Sequence, residues 1–441
     1  MFQKFILSAM AVLLFLPLPS YADRILVFKV TTVRTDKNSR KKPVESPLTV
    51  VLGNNYFSRD NGASRTIYDF EKKRIVTVDE KKKEYTDASL FSDIGFRVSE
   101  LKNRQFLGGI MAKAGLKENP MALSFSEHIF SMEIPKTNTT LEETRQQGNI
   151  SFSADGKVLM EVSEKGSIVT GDELGRYIRF LRYTYGGHPA IIRKLIQNGK
   201  IPEKMVTNLY NVSTDTITLT LESIRSAPDA PCSLAGYTEK PVSFFDKKLA
   251  GTMFRMKNEP VAIFRERSEA ILNNASTAYE KRLFLPCMLS YLEYNLQTGG
   301  QLPDSFRSRQ AILQSDPAVT EFLTIWNPRN KEDAEKSLPR LEKLREKAGD
   351  KDHILMIFEA NIRTSLGRSG EDAALFLRVL DRNPYICGVY KDLGAIYYNQ
   401  YETQKAWQLW DLGRRLVPDF INFKPIIEFE QHLVQKYPEF F

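Results

Sequence analysis

Side chains able to do chemistry are sparse and scattered in this 441-residue chain. Its four histidines, His128, His188, His353 and His432, are scattered and have no second histidine or cysteine at helix or hairpin spacing, so a zinc site is disfavoured. No base stands at a readable spacing from a nucleophile, so a Ser-His-Asp arrangement cannot be assembled, and an envelope hydrolase is disfavoured. There is no phosphate-cradling glycine loop and no Gly-x-Ser-x-Gly elbow. Gly186-Gly187-His188 could suggest an oxyanion site, but it reads more simply as a helix terminator before a new start at Pro189. Asp172 and Glu173 are adjacent carboxylates placed where a helix should begin, which suits capping. The expectation is a non-enzyme with no catalytic, metal or cofactor-binding residue.

Basic residues offer another chemistry. Arg176, Arg179 and Arg182 crowd one side of a predicted helix, with Arg193 and Lys194 nearby, a pattern suited to lying on anionic headgroups. The simpler alternative is a core-packing helix with a solvated outer side. Lysine-rich turns around Lys41, Lys72 and Lys82 read as solvated tips that protect strand edges. No nucleic-acid reader module is recognisable, so no nucleic acid is expected as a partner.

Composition limits the setting. Apolar residues at 42% and charged residues at 26% are ordinary for a globular chain, and the length predicts about two or three domains. Residues 1–22 combine Lys4, an apolar run from Phe5 to Leu18 and the small-residue signal Ser20-Tyr21-Ala22, which predicts an export signal cleaved after Ala22 and a periplasmic protein. The run is short for a bilayer span and contains Pro17 and Pro19. Its removal deletes one charge and leaves 61 basic against 54 acidic side chains, a net charge of +7 within what solubility needs. Cys232, Cys287 and Cys387 are too few for a disulfide framework, though one bridge plus one free thiol is compatible with an oxidising compartment.

The elements that must position these residues fall into two kinds. From Arg24 the chain alternates with the two-residue period of half-buried strands, Leu26, Phe28 and Val30 facing one way and Ile25, Val27, Lys29 and Thr31 the other. Turn signals at Asp60-Asn61-Gly62, Glu71-Lys72-Lys73 and Asp79 to Lys83 divide the stretch from Pro47 to Thr86 into an antiparallel meander. Ser89 to Ala114 reads as a helix and Ala122 to Ile134 as a strand through Leu123, Phe125 and His128. Two strands flank Asp155-Gly156. A helix from Gly171-Asp172 carries Leu174, Tyr177, Ile178 and Leu181 on one face, Pro189 to Asn198 forms a second, and Met205 to Ile224 is a long strand or hairpin.

The motif Arg65-Thr66-Ile67-Tyr68-Asp69-Phe70, followed by Arg74-Ile75-Val76-Thr77-Val78-Asp79 and Lys83-Glu84-Tyr85, resembles the periplasmic lipoprotein-carrier (LolA-like) β-sheet domains over roughly residues 24–225. The resemblance implies a sheet curled into an open half-barrel, helices as a lid, and an apolar cavity for a lipid or acyl chain.

Prolines and weak periodicity mark residues 226–259 as a linker or boundary segment between a 23–225 domain and a 260–441 helical domain. Glu332 to Ala348 is a charged helix with Ala334, Leu338, Leu341 and Leu344 inside and a kink expected at Pro339. Pro384 and Pro418 stand 34 residues apart, the tetratricopeptide period. In the unit from Cys387, Leu393, Gly394, Tyr397, Ala406, Trp410 and Pro418 fit that pattern; in the unit from His353, Ala360, Phe376 and Pro384 fit, but Asp372 stands where a small residue belongs. This part therefore resembles a tetratricopeptide-repeat (TPR-like) domain. The resemblance implies a concave groove lined by the first helix of each pair, presenting Asn361, Thr364 and Ser365 from one unit and Lys391, Ala395, Tyr398 and Asn399 from the next. Lys391 beside Asn361 would hold a carboxylate or an extended backbone.

The fold class is therefore α+β, an antiparallel curved sheet with packed helices followed by an all-α repeat domain. The expected function is an exported, non-catalytic adaptor or assembly factor that binds a protein partner through the helical groove. The alternative is a periplasmic lipid or lipoprotein carrier using a cavity in the sheet domain.

Overall fold

A computed structural model describes residues 23–36, 39–115, 122–134, 139–211, 213–227, 233–241, 245, 247–368 and 370–441. The proposed export segment 1–22, Cys232 and part of the 226–259 boundary lie outside the described residues. The fold is α+β, and the described chain divides into two compact units, residues 23–90, 97–239 and 437–441 in the first and 91–96 and 240–436 in the second.

The first unit is built on a 13-stranded sheet. Its strands are β1 (Asp23–Asp36), β2 (Ser39–Arg40), β3 (Val44–Leu52), β4 (Tyr56–Asp60), β5 (Arg65–Asp69), β6 (Arg74–Asp79), β7 (Glu84–Ser89), β8 (Glu142–Gln146), β9 (Asn149–Ala154) and β10 (Lys157–Ser163). A small separate pair, β11 (Gly166–Ile168) and β12 (Lys200–Pro202), precedes β13 (Lys204–Tyr210), β14 (Thr214–Ala227) and β15 (Thr238–Glu239). The sheet order is β15-β7-β6-β5-β4-β3-β1-β14-β13-β10-β9-β8, with β2 beside β1. The first strand is central: it pairs antiparallel with β14 from Asp23↔Ala227 to Thr35↔Thr214 and with β3 from Arg24↔Leu52 to Thr32↔Val44. Its period-2 pattern explains this position, since Leu26, Phe28 and Val30 are all buried on one face.

The meander follows the turn chemistry. Asp69 Oδ1 accepts the Lys72 N–H at 2.8 Å, and ten residues on Asp79 Oδ1 accepts the N–H groups of Lys81 and Lys82 at 3.1 and 3.0 Å. In each turn the following lysine, Lys73 or Lys83, takes a left-handed backbone conformation. An Asp side chain that satisfies turn amides offsets the strain of placing a non-glycine residue there.

Helices Leu90–Lys113, Gly171–Thr184 and Pro189–Asn198 agree with their sequence periodicity. The segment 122–134 does not. Leu123–Phe130 is a helix rather than a strand, with Ser124, Phe125, Ser126, Glu127, His128 and Phe130 all buried. A helix enclosed on every side has no polar stripe, so its period of 3.6 is invisible and the Leu123/Phe125 alternation misleads.

The second unit is helical. Lys247–Asn258, inside the stretch read as a linker, is a helix that buries Leu249, Met253 and Met256 at i, i+4 and i+7. Val261–Glu280 and Phe284–Thr298 pack together, and Asp304–Ser315, Pro317–Ile325 and Lys331–Lys347 follow. Ala334, Leu338, Leu341 and Leu344 are buried as the spacing predicts, and Pro339 lies within the last of these helices. Two further pairs come next, Asp352–Ser365 with Glu371–Arg382 and Cys387–Asn399 with Thr403–Leu416, and then Lys424–Lys436. Small residues set the spacing of the Cys387–Leu416 pair: a Cβ on Gly394 would fall inside the Trp410 indole, and Ala406 is fully buried. Asp372, out of place in the repeat pattern, is buried at the start of its helix. It accepts from the Thr364 hydroxyl at 2.9 Å and from the backbone of Gly370 and Ala373 at 3.0 and 2.7 Å. Cys287 and Cys387 are buried free thiols, so no bridge joins them. Burial pushes the Cys287 thiol up to about 11, against the pull of Arg309, and raises that of Cys387.

Candidate functional site

The helical surface expected to meet a partner divides into free and engaged residues. Asn361, Thr364, Ser365 and Asn399 are exposed, although Thr364 also donates to Asp372 and the Ser365 hydroxyl donates to the Ile362 carbonyl at 2.7 Å. Lys391 is half-buried and its ammonium lies 2.9 Å from the carboxylate of Asp392, its neighbour in sequence. That pairing dilutes the single cation expected to attract a carboxylate. Tyr398 is half-buried, and its ring packs against Trp407, Trp410 and Phe429 with centroids 5.6–5.9 Å apart. Trp407 donates its indole N–H to Glu430 at 2.8 Å, and Arg414 holds the same carboxylate at 2.6 and 3.0 Å. Tyr398 thus edges an aromatic cluster whose buried members are Trp407 and Trp410, and Asn361 and Asn399 are exposed on the first helices.

In the sheet unit the arginine reading is corrected. Arg182 is 8% exposed, donates to the Ser131 carbonyl at 2.9 Å and lies 5.7 Å from the Phe440 ring. Arg179 sits 4.5 Å over the Phe70 ring, and Arg176 reaches toward the Leu52 carbonyl at 3.4 Å. Burial lowers the pKa of both Arg179 and Arg182. The helix Gly171–Thr184 therefore has no continuous cationic strip facing outward. Its arginines close over aromatic rings and backbone carbonyls, Arg179 over Phe70 of the sheet side and Arg182 beside Phe440 of the 437–441 segment.

The sheet face beneath that helix is filled. Phe57 stacks on Tyr68 at 4.4 Å and meets Phe180 edge-on at 5.7 Å, while Tyr183 contacts Tyr68, Phe70 and Phe440 at 4.9, 5.8 and 5.4 Å. On the opposite face of β4–β7 lies an open cleft of about 480 Å³. Ile67, Val76, Tyr85 and Leu234 form its apolar surface, and Tyr56 donates to Asp23 at 2.6 Å. Its rim includes Arg74 and Asp87, paired at 2.8 Å. The signal for this second apolar face was present in Ile67-Tyr68, two adjacent strand residues that are both buried; a sheet wetted on one side would keep only one.

Folding brings together titratable groups that are scattered in the sequence. His188 caps the Pro189–Asn198 helix: its Nδ1 accepts from Ala190 N–H at 3.2 Å, and its Nε2 faces Glu127 Oε2 at 3.1 Å. His128 Nδ1 accepts from His188 N–H at 2.9 Å, leaving its Nε2–H to donate to Thr207 Oγ1 at 2.9 Å. Glu127 also accepts from Ile134 N–H and the Thr139 hydroxyl, at 2.8 and 3.1 Å. Burial first, then the neighbouring His188, lowers the His128 pKa to about 3. Both nitrogens of each ring are occupied, so neither imidazole is free to take a proton from a nucleophile. The Gly186-Gly187 backbone belongs to the same network: Gly187 N–H donates to the His128 carbonyl at 2.7 Å, and a Cβ at Gly186 would strike that carbonyl. The loop thus ends one helix and starts the next, as its sequence predicts.

A second buried cluster lies in the helical unit. Glu293 faces Lys351 at 2.7 Å, His353 at 3.1 Å and Asn383 at 2.7 Å, while Asn383 reaches Gln297 at 3.1 Å and Gln297 donates to Ser268 at 2.8 Å. Burial alone would raise the Glu293 carboxyl, but the His353 hydrogen bond and the Lys351 charge outweigh it and hold the pKa at about 2. Every polar group in the cluster is engaged with another, as in a structural network. Among the described residues, no group of three or more His, Cys, Asp or Glu side chains is placed to hold a metal. Comparison with known proteins finds no protein-family model that matches the chain and no significantly similar curated protein.

Proposed function

We propose that this chain is an exported, non-catalytic adaptor or assembly factor of the cell envelope, docking a protein partner on its TPR-like helical unit. The observation carrying this reading is the run of helix pairs 352–382 and 387–416, whose interiors are closed by aromatic and small residues while Asn361, Ser365 and Asn399 stay exposed on the first helices. Such a surface offers donors and acceptors to an extended backbone at little cost in rearrangement. Export and a periplasmic location rest on Lys4, the apolar run Phe5 to Leu18 and Ser20-Tyr21-Ala22.

Site-specific photo-crosslinking in intact cells tests the docking surface. A crosslinker at Asn361 or Asn399 is expected to trap the same partner, and one at Gln404 on the second helix is expected not to. Equal trapping from all three positions, or none, removes the groove from the reading.

The lipid-carrier reading, implied by the LolA-like motif, is second. Aromatic rings occupy the sheet face under the Gly171–Thr184 helix, so a lipid or acyl chain would use the opposite cleft, supported by the apolar surface of Ile67, Val76, Tyr85 and Leu234. Native mass spectrometry of the purified chain is expected to retain a lipid under this reading. Replacement of Val76 by Asp should then release it, and a ligand-free spectrum removes the carrier role.

A further inference from the structure

The helix Leu90–Lys113 changes character along its length. Leu101 and Gly108 are buried, and Arg104 anchors the middle of the helix by pairing with Glu100 at 3.0 Å, donating to Asn211 at 3.0 Å and lying 5.1 Å from the Phe130 ring. Beyond that anchor the apolar side chains face outward: Phe106 is 68% exposed and Ile110 49% exposed, with Leu107 and Met111 half-exposed beside them. Phe106 and Ile110 stand at i and i+4 and so form one stripe, and Leu107 and Met111 widen it on one side. Lys102 and Lys113, both exposed, lie along its other side at about 20–40° by helical geometry.

We propose that this stripe is a peripheral membrane contact, inserting Phe106 and Ile110 at the headgroup boundary of an anionic leaflet. Charge argues for this occupant. Arg104 is taken up by Glu100, and the exposed charges beside the stripe are those of Lys102 and Lys113, so the patch sets apolar bulk next to cations of one sign. Apolar surface dominates the stripe: between the lysines Phe106 and Ile110 face outward with the exposed Gln105 beside them, while the Asn103 amide is turned to Glu100 at 3.3 Å. A bilayer boundary asks only for apolar insertion and cations that can extend toward phosphate, which lysine stems do. The contact is independent of partner docking on the helical unit, so either proposal can fail without the other.

Co-sedimentation of the full mature chain with vesicles tests it. Binding is expected to vesicles of mixed phosphatidylglycerol and phosphatidylcholine, to be much weaker with phosphatidylcholine alone, and to fall as salt is raised. The double variant Phe106→Ser/Ile110→Ser should lower the partition coefficient about tenfold or more, since both side chains leave an apolar medium. Ile168→Ser, which removes an even more exposed apolar side chain from the same unit, should leave binding unchanged. The proposal is overturned if the wild-type chain stays in the supernatant with anionic vesicles, or if the double variant binds as well as wild type. It also fails if the patch mediates self-association instead, seen as a dimer in sedimentation equilibrium that the double variant abolishes while neither protein binds vesicles.

Discussion

His128 has no contact with water, and its two ring nitrogens have fixed, opposite hydrogen-bonding roles. Its pKa near 3 in the folded chain lies below the ordinary 6.5, so between those values the unfolded chain binds a proton that the folded chain refuses. Its contribution to stability is therefore complete above about pH 6.5 and declines as the pH falls toward 3. Urea midpoints measured across this range should drop with acid, and His128→Gln should flatten the slope. Glu293 titrates in a lower window. Its carboxyl is held at about 2 against an ordinary 4.5, so its contribution is full above 4.5 and is lost as the pH falls through 2. Glu293→Gln leaves Lys351 and His353 buried without their anion, and should destabilise the chain by about 3–5 kcal/mol near neutral pH in chemical denaturation. Neither cluster could be read from the sequence, because Glu293, His353 and Asn383 acquire a relationship only when separate helices converge.

The elements were more legible than the contacts between them. The Asp69 and Asp79 turns, the alternation of β1 and the Gly186-Gly187-His188 junction each follow from local chemistry, and local chemistry is what a sequence displays. Leu123–Phe130 was misread because burial on all sides erased its periodicity, and the arginines of Gly171–Thr184 because a helix wheel shows a polar side without showing what covers it. Gly394, which fits the repeat pattern, is a position of close helix approach, and a substitution there can check it. Gly394→Ala forces a methyl into the Trp410 indole, so the cost of overpacking, about 1–3 kcal/mol, should outweigh alanine's better helix propensity. Thermal denaturation of the variant should show a lower midpoint; an unchanged or higher one would mean that the helix pair adjusts freely.

At the scale of the molecule, the α+β division was visible as a change of period, from two residues to a helical repeat, whereas the membership of each unit was not. The 437–441 segment belongs with the sheet unit although it lies farthest from it in sequence. Phe440 is fully buried there, with Arg97 and Arg182 each within 5.7 Å of its ring, and its carbonyl accepts the Tyr183 hydroxyl at 2.7 Å. Phe440→Ala should therefore destabilise the sheet unit by about 3–5 kcal/mol, detectable as faster hydrogen exchange in residues 171–184.

The pairing of β1 with β14 has a consequence in time. Arg24 and Ser226, hydrogen-bonded across that pair, are 202 residues apart in the chain. A ribosome or export channel delivers β1 long before β14, the strand that covers one of its edges, and Phe440 arrives later still. A nascent chain must therefore carry β1 with β3 on one side and its other edge uncovered until residues 214–227 emerge, open to adventitious strand addition. Completion of the sheet unit waits for residues 437–441, and chaperone demand should be greatest for chains released before residue 214.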